Sequence, residues 1–306
     1  MSTLLIIEQL LNGLQLGMTL FLMAAGLTLV FGVMGLINLA HGSLYMVGAF
    51  CCAWATNFSG SFILGLGAGI IGAALVGALI EFVVIRKLYA RDHLDQVLAT
   101  FAIILIASEA TRWVFGDIPL YLNVPDFLSG TLALPGGIDY SKYRAAIIGF
   151  GFITAIGLYL LIAKTKLGMR IRAGQSDREM IAALGVDIRT VYTLTFALGA
   201  GLAGLAGSLV GALESVQVGM GEPVLILAFV VIVIGGIGSI KGALLGAILV
   251  GVVDTVGRIF LPVFFKLFME SSAATSVGSA LASMAIYVLM ALVLAIRPKG
   301  LFPTHA

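Results

Sequence analysis

The chain has 306 residues, of which 60% are hydrophobic and 10% charged, with a formal net charge of +2 and a mean hydropathy of +1.14. A typical soluble domain carries about 25% charged residues, so this composition cannot clothe a water-facing surface. A bilayer removes that need by making the exterior apolar. No basic run suits nucleic acid, which excludes that partner. Cys51 and Cys52 are sequence neighbours in an apolar run and form neither a disulfide framework nor a metal-ligand spacing. The start, MSTLLIIEQLL, lacks the positive charge of a signal-peptide n-region, so the first hydrophobic segment is expected to be retained as a span.

In chain order, segments long enough to approach the ~20 residues of a crossing fall at about 10–33, 43–58, 61–85, 96–115, 144–163, 190–212, 223–238, 242–260 and 279–296. The segments 43–58 and 223–238 are short. Ten-residue stretches of alternating polarity are absent, which excludes a β-barrel. Pro119, Pro125, Pro135, Pro223, Pro262, Pro298 and Pro303 are all placed at span ends or in loops by this reading. The expectation is an all-α integral membrane protein: one polytopic helical bundle over residues 1–306, of about 8–10 spans, with broken or re-entrant helices.

Lys and Arg set the orientation. Arg86, Lys87 and Arg91 follow the third span. Lys164, Lys166, Arg170, Arg172, Arg178 and Arg189 lie between the fifth and sixth, and Arg297 and Lys299 follow the last. These loops and Lys241 are expected on the cytoplasmic side. The opposite loop, 116–143, holds Asp117, Asp126, Asp139 and Lys142, and reads as extracytoplasmic. By parity the N-terminus lies outside and the C-terminus inside; if 43–58 re-enters without crossing, the N-terminal end inverts.

Small residues recur every four positions. Gly65, Gly69, Ala73 and Gly77 share one face of the third span; Ala200, Gly204 and Ser208, with Ala203, Gly207 and Gly211 beside them, share one face of the sixth. Such rows let helices approach closely. The pairs Asp254/Arg258 and Glu109/Arg112, and Glu81 with Arg86, are self-neutralising charges expected at span ends, where they anchor the helices to the interface.

Two segments interrupt the apolar pattern alike: Gly35 to Leu44 (GLINLAHGSL) and Gly235 to Leu244 (GGIGSIKGAL). Aligned, they pair His41 with Lys241, Gly42 with Gly242 and Ser43 with Ala243. Paired helix breaks point to a transport pathway, and two ordinary turns are the competing reading. On the pathway reading Asn38, His41, Gly42, Ser43, Gly235, Gly236 and Gly238 lie beside it.

The basic loop 164–190 reads KTKLGMRIRAGQSDREMIAALGVDIR from Lys164 to Arg189. Ser176 and Glu179 form an S-x-x-E capping box, which predicts a helix starting there; Gly185 is placed for its C-terminal cap. Met180, Ile181 and Leu184 share an apolar face. A helix this short needs cover, either from the chain's own spans or from a partner protein.

Here the sequence resembles the ABC importer permeases, whose coupling loop carries Glu and Gly six apart, as Glu179 and Gly185 are. Met180 and Ile181 stand where that loop has alanines, and its Leu-Pro is missing. The wider pattern is more specific: GLTLVFGVMGLINLAHG (26–42), LGMRIRA through ALGV (167–186), GGIGSIKG (235–242) and RPKGLF (297–302) occur in order. Together they resemble the branched-chain amino-acid importer permeases, the H-type of paired H and M subunits, over essentially the whole chain, diluted in the outer loop 116–143 and around 260–278. The resemblance implies a type II ABC-importer-like fold, a second homologous permease, and two cytoplasmic ATPase subunits docking on Ser176, Asp177, Arg178, Glu179, Met180, Ile181, Leu184 and Gly185. It also implies a periplasmic solute-binding protein and a bacterial inner-membrane location. The chain contains no Walker A sequence, so no cofactor is expected on it and ATP with Mg is expected on the partners. A secondary transporter or channel is the competing class. A membrane enzyme finds no support in His41, His93 and His305, which sit in no metal or triad pattern.

Overall fold

The computed structural model describes residues 3–135 and 137–302, without the side chains of Thr3, Arg178 and Glu179. The helices are α1 (Thr3–Met34), α2 (His41–Ser59), α3 (Phe62–Val83), α4 (His93–Phe115), α5 (Lys142–Lys164), α6 (Lys166–Ser176), α7 (Arg178–Ala183), α8 (Ile188–Val210), α9 (Gly221–Gly235), α10 (Ile240–Phe265) and α11 (Ser271–Ile296). A two-stranded antiparallel hairpin, β1 (Thr131–Leu134) and β2 (Ile138–Ser141), lies in the loop after α4, with Thr131 opposite Ser141. The predicted all-α membrane architecture is what the chain forms.

Seven of these helices are long and apolar enough to cross a bilayer: all but α2, α6, α7 and α9. Their outer surfaces carry large apolar side chains, such as Ile71, Leu75 and Leu79 on α3 and Ile153 and Ile156 on α5. In water such a surface would be an aggregation patch; in hydrocarbon it is the required exterior.

The inside is built on small residues. A Cβ on Gly48 of α2 would stand 2.2 Å from Gly204 Cα of α8, and one on Gly204 would meet the Ala73 Cβ of α3 at 2.4 Å. The Ser208 hydroxyl donates to the Gly48 carbonyl at 3.2 Å. The four-residue rows on α3 and α8 are therefore the seam of a three-helix contact with α2, as their spacing predicts. Gly13 and Gly17 on α1 pack in the same way against Val252 and Ile248 on α10.

Two of the nine expected crossings are each made by a non-helical lead-in followed by a helix that starts inside the bundle. Leu120 pairs with Val216, so the loop after α8 lies at the same end as the β-hairpin. Met34, at the end of α1, receives the Tyr89 hydroxyl on its sulfur at the opposite, basic end. From there Gly35, with φ +65, reverses the chain, and residues 36–40 run back inside. α2 starts level with Gly26 of α1 and Gly199 of α8, roughly 12–16 Å from the basic ends of those helices at 1.5 Å per residue. α2 then returns to the hairpin end, so the N-terminal end does not invert. α9 does the converse: it starts in the interior and runs to the basic end.

Pro262 is a correction to the boundary reading. It lies inside α10, which continues through Phe265. Its ring removes a backbone donor and crowds the preceding turn; Gly278 of α11 gives it room, since a Cβ there would stand 2.4 Å from the Pro262 nitrogen.

Candidate functional site

The first helix break is held by its own polar groups. The Asn38 carboxamide oxygen accepts from the Ala40 N–H at 3.1 Å, and the Ala40 carbonyl accepts from Ser43 at 3.0 Å. Asn38 and His41 are fully buried and Ser43 nearly so. Directly above them Gly42 meets Gly221, the first residue of α9; a Cβ on Gly221 would stand 1.9 Å from the Gly42 carbonyl oxygen. Two helix N-termini thus touch in the interior, one entered from each end of the bundle. Each presents backbone N–H groups and the positive end of its dipole. His41 points to α1, where a Cβ on Gly26 would lie 2.9 Å from its Nε2. The Met23 backbone carbonyl lies near the ring, yet neither ring nitrogen closes a hydrogen bond of normal geometry, and the Asn38 side-chain nitrogen is likewise unpaired. Unsatisfied polar groups at such a depth are costly.

The second break is not its partner. Gly235, Gly236 and Gly238 form a turn at the basic end, with φ of +103 at Gly236 and +82 at Gly238. The Ser239 hydroxyl caps α10 by accepting from Gly242 at 3.1 Å. The chain end closes over this turn, with Leu301 and Phe302 donating to the Ile234 and Gly235 carbonyls at 2.9 Å. The whole of α9, about 21 Å of helix, separates it from Gly42. The structural counterpart of residues 35–44 is 211–222, which sequence reasoning treated as a loop; its polar run GALESVQVGMGE between two apolar segments was the available signal.

The basic loop holds two helices. α6 begins at Thr165, whose hydroxyl accepts from Gly168 at 3.1 Å, and ends at Ser176. The capping box is therefore corrected: Ser176 closes α6, and Asp177 starts α7 by accepting from the Met180 N–H at 2.9 Å. Asp outranks nothing here by type, since Ser caps equally well; Ser176 is simply consumed by the preceding helix. Glu179's side chain lies outside the described residues. The C-terminal cap is as expected: Gly185 has φ +83, and Val186 donates back to Ile181 at 3.3 Å. The apolar face divides. Ile181 is 8% exposed and packs inward, whereas Met180 and Leu184 are 60% and 75% exposed.

Two further contacts tie this loop to the spans. Asp187 caps α8, accepting from Arg189 at 3.0 Å and from the Thr190 hydroxyl; those bonds, the Thr190 one foremost, hold its carboxyl below the usual value. One turn on, Glu81 of α3 accepts from the Thr193 hydroxyl at 2.7 Å, from Tyr89 at 2.8 Å, and from Arg86 at 3.1 and 3.3 Å. Sequence reasoning took Glu81 as an interfacial anchor; it is the buried centre of a network linking α3, the 84–92 turn and α8. The Arg258 Nε–H is shared between both Asp254 carboxylate oxygens at 2.9 Å, and this pair sits level with the Asn12–Arg144 bond near the hairpin end, as interfacial anchoring requires.

Seven helices fit to cross a membrane, two helices that start in the interior and a capped helix in a basic loop describe a multi-pass membrane protein, and among the described residues no group of three or more His, Cys, Asp or Glu gathers to hold a metal. Residues 9–295 match the family described as branched-chain amino acid transport system / permease component. The chain is 30% identical over 309 residues to the high-affinity branched-chain amino acid transport system permease protein BraD of Pseudomonas aeruginosa, covering 96% of this chain and 95% of that one. It is 28% identical over 276 residues to the permease protein LivH of Escherichia coli (85% and 88% covered), and 26% identical over 315 residues to LivM of the same organism (94% and 68%). The chain belongs to this family: it is a multi-pass permease subunit of an ABC transport system, not an enzyme.

Proposed function

We propose that this chain forms half of the translocation pathway of an ATP-driven importer in a bacterial inner membrane, for branched-chain amino acids or a related small amino acid or amide. Similarity to both LivH and LivM supports pairing with a second, homologous permease. A periplasmic binding protein delivers the solute, and two cytoplasmic ATPase subunits bind ATP with Mg and drive transport. The observation that carries the reading is α7: a capped two-turn helix at the basic end that turns Ile181 inward and leaves Met180 and Leu184 uncovered. In this reading Ser176 to Gly185, Asp177, Arg178 and Glu179 included, seat in a cleft of the ATPase. Asp187 and the Glu81 network then pass the displacement to α8 and α3. In this reading a solute carboxylate is matched by the two helix N-termini that meet at Gly42 and Gly221, flanked by Asn38, His41 and Ser43; their burial in the interior supports it. Gly235, Gly236 and Gly238 sit at the cytoplasmic end of the same path.

Uptake into proteoliposomes holding both permeases and the ATPases tests this. Uptake should require ATP and binding protein, and Glu179→Lys should leave ATP hydrolysis uncoupled from it. Uptake by this chain alone on an ion gradient would overturn the reading and establish a secondary transporter.

A further inference from the structure

A cavity of about 660 Å³ opens on the flank of the bundle between α1, α5, α6 and the start of α10. It belongs to neither the interior half-helix contact nor α7. Its walls are carbon for most of their depth: Phe152 and Ile156 of α5 face Leu29 of α1 and Leu244 of α10. Its basic end is different. Lys241 stands in the first turn of α10 with its ammonium 5.9 Å above the Tyr159 ring, and Arg172 comes across from α6. Both are exposed. Among the described residues neither makes an ion pair, and no acidic side chain lines the cavity.

Two unneutralised cations at one end of a carbon-walled slot match one kind of molecule in a bilayer. A zwitterionic solute would need an acidic group for its ammonium, and the lining has none. A water-soluble anion would gain nothing from the apolar depth. A lipid with a negative headgroup satisfies both ends: its phosphate meets Lys241 and Arg172, and its glycerol and upper chains lie against Phe152, Ile156 and Tyr159. The site opens sideways past exposed α5 residues, which is the route a lipid can take. It also lies at the basic end, which faces the anionic leaflet when positive loops stay inside.

We propose that this cavity is a binding site for an anionic phospholipid of the leaflet at the basic end. The lipid bridges α6 to α10. Gln175 on α6 already packs against α1, where a Cβ on Gly32 would stand 2.6 Å from its Nε2. A headgroup held by Arg172 therefore braces the base of the loop that carries α7 against the spans, and couples that loop to membrane composition.

The test uses the full transporter assembly in phosphatidylcholine bilayers, with Tyr159→Trp as the sole tryptophan of the assembly after Trp54, Trp113 and those of the partner subunits are replaced by Phe, and brominated lipids as quenchers. Brominated phosphatidylglycerol should saturate the quenching at a mole fraction roughly thirtyfold lower than brominated phosphatidylcholine, as expected for two basic side chains at the surface. Adding Arg172→Gln and Lys241→Gln together should merge the two curves, while Arg172→Lys should keep them apart. Identical curves in the reporter protein would overturn the proposal, as would a preference that survives the double substitution. No quenching by either lipid would show the flank covered by a partner subunit, and release of the brominated phosphatidylglycerol by inorganic phosphate would show a plain anion site; either result also overturns it.

Discussion

The Thr193 hydroxyl of α8 donates to the Glu81 carboxylate of α3 across 112 residues of sequence, at 2.7 Å. Glu81 is fully buried and takes further bonds from Tyr89 and Arg86. A buried carboxylate is tolerated only when its lone pairs are filled, and here three separate segments fill them. Because Thr193 lies nearly two turns after the Asp187 cap, the network fixes the point where the basic loop re-enters the bundle. Replacing Glu81 by Gln should cost about 2–3 kcal/mol through loss of charge-assisted bonds, and Thr193→Val about 1 kcal/mol. Thermal unfolding in detergent should show both shifts in that order; equal midpoints for Glu81→Gln and wild type would refute the assigned role.

The Gly42–Gly221 contact makes a sharper structural demand. A Cβ on Gly221 has no room beside the Gly42 carbonyl, and both neighbours are backbone, which cannot rotate away. Gly221→Ala should abolish transport and lower the yield of folded protein. Gly67→Ala is the control: nothing lies within 4 Å of its added carbon, and the helix gains roughly 0.5–1 kcal/mol in propensity. Size-exclusion profiles of the two variants separate a steric effect from general sensitivity to glycine loss.

Docking through α7 predicts opposite phenotypes for two apolar neighbours. Leu184→Asp, on the exposed side, should leave the melting temperature unchanged and remove ATPase co-purification. Ile181→Asp, on the packed side, should lower the melting temperature, since a buried unpaired charge is costly. If both variants retain the ATPases at wild-type yield, α7 is not the docking element.

Asp187 supplies a pH dependence. Its carboxyl is held below its ordinary value of 3.8 by the Thr190 hydroxyl and the Arg189 and Thr190 backbone. A depressed folded pKa means that the cap's contribution is complete above the unfolded value and is lost as pH falls through the folded one. Amide exchange of the first turn of α8, corrected for intrinsic rates, should therefore lose protection only as pH drops past 3.8. Asp187→Asn, which caps without titrating, should remove that step.

Much of the architecture was legible because lipid imposes simple rules. Apolar length marked the crossings, Lys and Arg marked their ends, and four-residue rows of small side chains marked the α2–α3–α8 seam. What escaped was long-range. Residues 35–44 and 235–244 look alike because both combine glycines with Ile and Leu, but one carries the chain into the interior before its helix starts and the other merely turns at the surface. Only the contact with Gly221 distinguishes them, and no local pattern encodes it. Ser176 and Glu179 satisfied a cap spacing that Asp177 takes over once α6 extends to its end. Glu81 read as an anchor because its partner Thr193 is an ordinary residue in an apolar helix. The Pro262 boundary failed because α10 continues past its proline, and the close packing of α11 on it through Gly278 is a long-range contact.

The interior start of α2 has a consequence for biosynthesis. Its seat against α8 is made by Ser208 reaching Gly48, 160 residues later in synthesis. At about 5–20 residues per second the ribosome needs on the order of ten seconds or more to deliver that partner. During this interval the Asn38 and His41 side chains, buried in the finished fold, and the open glycine face of α2 have no lining of their own. The chain cannot mature by releasing finished helices one at a time into lipid. Its first hairpin must wait, shielded at the insertion machinery or resting at the headgroups, until the second half arrives to enclose it.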